Sequence, residues 1–126
     1  VIYYRELIKQ NPNNNDVADG LISALVDYGS FNLERKKAAK AAELFREAIA
    51  IFDSKAKSSQ PPDQKAVILE QLAESYLQQS QNSKAIDLYR SSLEIREVLR
   101  QTKPNHSENI EKLNDVRRKL DSIQTN

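Results

Sequence analysis

Few residues in this 126-residue chain have the type and spacing that chemistry needs. His106 is the lone imidazole, and an imidazole near neutral pH can serve as a general base. No nucleophile or partner is suggested near it, and its place after Pro104 and before a helical pattern reads equally as part of a helix start. Cys is absent, which excludes thiolate catalysis, disulfides and cysteine metal sites. Asp and Glu are many, but none stands at metal-ligand spacing with His, so no metal is expected. Gly20 and Gly29 stand alone, so no glycine-rich loop can cradle a phosphate. Acid, base and nucleophile cannot be assembled from these residues. The chain is expected to be no enzyme and to carry no cofactor.

Charge offers two clusters, Arg35-Lys36-Lys37-Lys40 and Arg117-Arg118-Lys119. Either could touch a phosphate backbone or an acidic lipid. Lys+Arg is 19 against Asp+Glu 18, a net charge of +1. With acids interspersed, solvated helix faces are the better reading, and nucleic acid is a disfavoured partner. Tyr3, Tyr4, Tyr28, Tyr76 and Tyr89 could form a stacking surface for bases. For the last three, rings packed between helices are the better reading.

The elements that would position these residues are helices. Only two Gly occur, so tight turns and hairpins are scarce. Three polar segments break the chain: Asn11-Pro12-Asn13-Asn14-Asn15, Ser58-Ser59-Gln60-Pro61-Pro62 and Thr102-Lys103-Pro104-Asn105. Gly29-Ser30 and Ser80-Gln81-Asn82 are weaker breaks. They predict six helices over about 1–10, 16–29, 33–57, 63–80, 83–101 and 106–124. Apolar residues recur at helical steps, as in Ile110, Leu113, Val116, Leu120 and Ile123. Asn82 is expected to cap the fifth helix, and Asn105 with Glu108 the sixth. No stretch alternates with period two, so the class expected is all-α. The longest apolar run, Ala48–Phe52, is far short of the roughly 20 residues that span a bilayer. Met is absent, and Val1-Ile2-Tyr3-Tyr4 reads as a helix that lost a preceding partner. A cut from something longer is expected, with a natural end at Asn126.

An internal repeat orders the helices. Ala41, Phe45 and Ala48 recur as Ala85, Tyr89 and Ser92, each 44 positions on. Leu69, Leu72 and Tyr76 recur as Leu113, Val116 and Leu120 at the same offset of 44. Leu21, Ala24 and Tyr28 match Leu69, Leu72 and Tyr76 at 48, and Tyr4 and Leu7 match Phe45 and Ala48 at 41. A longer turn or helix within Ser30–Lys37 would account for the 48.

Leu69, Leu72, Ala73 and Tyr76, followed by Ala85 and Tyr89, resemble the tetratricopeptide repeat family at its spacing. Tyr4 through Pro12 is similar to that family's second helix and terminating Pro. The period exceeds the usual length of about 34 residues. It is closer to the long-helix variant of kinesin light chains, which Leu88–Leu99 and Pro104-Asn105-His106 also resemble. Leu25 and Arg117 stand where Ala73 is small, and Ser92 replaces the usual Ala. The resemblance implies a right-handed superhelix, a solenoid of antiparallel helix pairs forming one domain over 1–126. Within it, 1–12 would be the second helix of a truncated repeat, 16–57 and 63–102 repeats, and 106–124 a C-terminal capping helix with one apolar stripe.

In such a superhelix the first helices line the concave side. Glu70, Glu74 and Leu77 fall off the packing stripe of the fourth helix and are expected to face that groove. The matching residues are Ile22 and Val26 on the second helix, and Asn114 and Arg118 on the sixth. Family members that hold a peptide's terminal carboxylate use Lys, Asn and Arg there. Two carboxylates one turn apart would instead attract a basic residue, or serve only as solubilising surface. The function expected is a protein–protein interaction scaffold or adaptor, holding a partner peptide or helix in a preformed groove. The alternative is a self-associating or regulatory segment of a larger enzyme or signalling protein, with a homo-oligomer as its form. The compartment expected of such a module is the cytoplasm or the nucleus.

Overall fold

The computed structural model describes residues 2–55, 57 and 60–125, with the side chains of residues 4 and 125 outside the description. Val1, Ser58, Ser59, Asn126 and the Tyr4 ring, on which some of the expectations above fall, lie outside the described residues. The described residues form six helices and no strand: α1 (Ile2–Gln10), α2 (Asn15–Glu34), α3 (Ala38–Ser54), α4 (Pro62–Gln78), α5 (Asn82–Thr102) and α6 (Ser107–Thr125).

Local chemistry starts and stops them. The Asn14 side chain accepts from the Asp16 and Val17 N–H groups, satisfying two donors that a helix start leaves open. Pro62 opens α4, where its missing N–H costs nothing. Gln60 closes α3 from beyond its end, its amide donating to the Phe52, Asp53 and Lys55 carbonyls. Two expected caps are replaced. α5 begins at Asn82 itself, behind Gln81, and no side chain caps it. Ahead of α6 the capping acceptor is His106, whose Nδ1 accepts from the Asn109 N–H at 3.3 Å.

The break expected at Gly29-Ser30 is absent. α2 runs through both residues and stops at Glu34. Gly29 is buried, and a Cβ there would come within 2.6 Å of the Phe45 ring. The glycine is therefore a close-approach residue inside a helix. The turn comes later, at Lys36, which holds the left-handed φ of 64°, as Ser80 holds 60° after α4. Both turns close alike: the Lys37 N–H donates to the Asn32 carbonyl at 2.8 Å, and the Gln81 N–H to the Tyr76 carbonyl at 2.9 Å. That is the six-to-one bond of a left-handed helix end. All these pairs lie 44 residues apart, so the offset of 48 is corrected to 44. In this register Leu25 answers Leu69, Gly29 answers Ala73 and Asn32 answers Tyr76. Leu25 is thus a core residue and not a misplaced small one.

α2 pairs closely with α3, and α4 with α5; α3 packs on α4 and α5 on α6, while α1 has the thinnest interface. One continuous core runs from Leu21, Ile22 and Leu25 through Phe45, Phe52, Ile68 and Tyr76 to Tyr89, Val116 and Leu120. At about 25 cal/mol per Å² of apolar surface removed from water, this stacking of faces is the main stabilising term. Tyr76 and Tyr89 are buried as expected, but Tyr28 is 43% exposed. Its counterpart Leu72 lies in the core, in the helix that α3 covers. α1 has 9 residues against 17 in α3 and leaves a cavity beside Tyr28. Arg117, at the place of Ala73, is exposed and bonds to Glu97 on α5. Among the described residues no second helix packs over it, so nothing requires a small side chain there.

Candidate groove on the first helices

The first helix of each pair, α2 and α4, and the last helix α6 border two cavities. The first, of about 350 Å³, is walled by Ile22, Val26, Val67 and Ile68, with Ser23, Asp27 and Gln64 as its polar lining. The second, of about 410 Å³, lies between α4, α5 and α6. Val67, Tyr89 and Val116 supply its apolar surface, and Glu70, Arg96, Lys112, Asp115 and Lys119 its charges. Val67 is 36% exposed and borders both, so the two form one groove along α4.

Glu70 is the most constrained group in it. Arg96 on α5 is buried to 2% exposure and donates from Nε to Oε2 at 2.6 Å and from Nη2 to Oε1 at 2.9 Å. Buried Ser92 also donates to Oε2. A bidentate, charge-assisted pair of this kind is among the stronger hydrogen-bonded contacts in a protein. It locks the register of α4 against α5 and explains why Ser stands at position 92: its hydroxyl has a partner that Ala would lack. Glu74 faces Lys119 across to α6 at 3.7 Å. Burial, together with the Glu74 and Glu70 carboxylates, holds the Tyr89 hydroxyl well above its ordinary ionisation range. Asp115 is paired with Arg118 and Lys112 with Glu108. The basic cluster on α6 is therefore spent on acids: Arg117 on Glu97, Arg118 on Asp115 and Lys119 on Glu74.

The expected groove residues divide. Val26 is half-buried in the wall of the first cavity, and Glu70 lines the second. Ile22, expected to face the groove, lines the first cavity from beneath as a fully buried floor residue; at the offset of 44 it answers Ala66 and not Glu70. Leu77 packs half-buried against the core. Glu74 sits beside the groove, tied to Lys119. Asn114 and Arg118 are exposed on α6 and line neither cavity. Sequence reasoning missed Ser23, Asp27, Gln64, Val67, Lys112, Asp115 and Lys119. Ser23 answers Val67, and Asp27 answers Gln71 and Asp115, at the offset of 44; none of them answers Glu70, Glu74 or Leu77, the residues expected to face the groove, so the repeat alone did not point to them. His106 is exposed at the start of α6, away from both cavities. Among the described residues no three acidic or imidazole side chains gather as a metal site requires, and no helix is long and apolar enough to cross a membrane.

The repeat geometry has counterparts. The N-terminal domain of stress-induced protein-1 from C. elegans has a similar structure, with a TM-score of 0.56 over 92% of this chain and 77% of that one. The two are 16% identical, so the likeness concerns the fold. No curated protein sequence matches the chain. The family model of the tetratricopeptide repeat matches residues 20–97, more than half of the sequence and the stretch that holds α3, α4 and most of α2 and α5. With its paired helices, its small residues at Gly29 and Ala73 and its aromatic residues at Phe45 and Tyr89, the chain belongs to the tetratricopeptide repeat family.

Proposed function

We propose that this chain is a protein-interaction adaptor with no catalysis of its own, holding a segment of a partner protein in the groove of α2, α4 and α6. Membership of a repeat family that serves protein–protein interaction supports the general reading. The observation that carries the specific one is Val67: an apolar side chain left open where two cavities meet, flanked by polar residues on both sides. An apolar centre with a polar rim is the usual anatomy of a binding patch. The half-buried Glu70 is fixed by the buried Arg96, so a partner meets a preformed surface with little rearrangement. In this reading α6 closes the stack and α1 is the second helix of an incomplete pair.

Parallel affinity captures with the wild-type chain and Val67→Arg test it. Partners retained by the wild type are expected to be lost on Val67→Arg, with circular dichroism unchanged because the site is already open to solvent. Partners retained equally by both would move the interface off this groove.

A second reading, self-association or a regulatory segment of a larger enzyme or signalling protein, is favoured by a different surface. Ile2, Tyr3, Tyr28 and Phe31 are exposed together near the start of α1 and the end of α2. Sedimentation velocity over a range of concentrations separates the two: an adaptor stays monomeric, and a self-associating segment gains mass.

A further inference from the structure

We infer that the first cavity of the groove takes a lysine or arginine side chain of the partner segment, and that Asp27 is the group that receives its charge. This rests on the adaptor reading above and names its ligand chemistry. The sequence pattern alone points the basic residue at Glu70 and Glu74; the side-chain geometry directs it elsewhere.

Four carboxylates stand in or beside the groove, and three have their cation already. Glu70 accepts from Arg96 twice and from Ser92. Glu74 has Lys119, and Asp115 has Arg118. A partner's cation would have to compete with an internal one at each of them. Glu70 is the extreme case, since stripping Arg96 would leave a buried guanidinium unpaired. Asp27 differs. It is exposed, lines the first cavity and makes no ion pair among the described residues. No other group lining that cavity is charged.

The shape suits the same ligand. Val26, Val67 and Ile68 offer apolar wall, while Ser23, Gln64 and Asp27 offer oxygen acceptors. Lysine and arginine bury an aliphatic stem against apolar surface and keep the charged head at a polar rim. Such a cavity rejects an acidic side chain by repulsion from Asp27 and leaves a short apolar one with an unpaired carboxylate beside it. The adjoining second cavity sets Arg96, Lys112 and Lys119 beside Glu70 and Asp115, each already in an ion pair, so it offers no free carboxylate to a second basic residue.

The probe is a phage-displayed library of random octapeptides, selected in parallel on the wild type, Asp27→Asn, Val67→Arg and Asp87→Asn, the last an exposed change on α5. Peptides selected on the wild type are expected to be enriched in one lysine or arginine flanked by apolar residues. A synthetic peptide from that set should bind Asp27→Asn about tenfold more weakly and Asp87→Asn within twofold. Selection on Asp27→Asn should lose the basic enrichment and keep the apolar one. Basic enrichment that survives Asp27→Asn, or selected peptides without a basic residue, would overturn the assignment to Asp27 while the groove stands. Peptides that bind Val67→Arg as well as the wild type, or a selection that enriches nothing over Val67→Arg, would overturn the groove and the assignment together.

Discussion

Two side-chain contacts decide how the helices meet. The Glu70–Arg96 pair is the first. Removing one partner of a buried pair leaves the other charge desolvated and unmatched, at a cost of about 3 kcal/mol. Glu70→Ala is therefore expected to lower the stability measured by urea unfolding by about that much. Glu70→Leu combined with Arg96→Met should cost clearly less than Glu70→Ala, because no orphaned charge remains. The second is Gly29 under the Phe45 ring. Ala favours a helix interior by about 1 kcal/mol over Gly. Crowding a packed core costs about 1–3 kcal/mol. With the Cβ at 2.6 Å from a ring that is 0% exposed, crowding wins. Gly29→Ala should lower Tm in the wild type. In a Phe45→Leu background the same change should be neutral or raise Tm, and a double-mutant cycle would read the coupling.

At the level of elements, the pairs α2–α3 and α4–α5 repeat a design down to their turns. Lys36 and Ser80 each hold a left-handed backbone that costs an L-residue about 1–2 kcal/mol. Glycine relieves that cost at the expense of some chain entropy in the unfolded state. Lys36→Gly and Ser80→Gly are each expected to raise stability by about 0.5–1 kcal/mol in urea unfolding. The two should add, since the sites belong to separate turns. A loss on either substitution would mean that the turn is held by its side chain and not by its backbone. α6 follows another rule. Leu113, Val116 and Leu120 are buried and the rest of its surface is mostly open, so it tolerates Arg117 where α4 requires Ala73.

Across the whole molecule, stability is a sum of neighbour contacts, as in other repeat arrays. α2 to α5 share the core, whereas α1 is held by a thin interface, by Ile8 and by the Arg5–Glu47 pair, whose side chains are about two-fifths and one-third exposed. The glutamate's hydrogen bonds raise the Arg5 pKa, but a pair so open to water adds little. Amide hydrogen exchange should therefore show α1 opening first, α6 next, and the α2 to α5 amides exchanging together and last. Protection in α1 equal to that in α4 would mean that its interface is stronger than its packing indicates. The cavities on either side of Arg5, of about 530 and 560 Å³, belong to the same loosely filled end.

The helices and their repeat were legible in the residues alone, because helical periodicity, the Pro and Asn breaks and a recurring Ala–aromatic spacing are local signals. Gly29 misled, since the same residue that usually ends a helix also permits close approach within one. Only its position beneath Phe45 distinguishes the two uses. A separate match, Tyr28 with Tyr76, slipped the register of α2 by one turn and set Ile22 against Glu70 instead of Ala66. Glu70 and Glu74 were identifiable as carboxylates near the groove. Which of the groove's carboxylates keeps a free charge was decided by Arg96, Arg118 and Lys119, which reach them from a different helix or a different turn. Pairing across helices depends on distances that the order of residues does not contain, so the tertiary structure alone separates Asp27 from the rest.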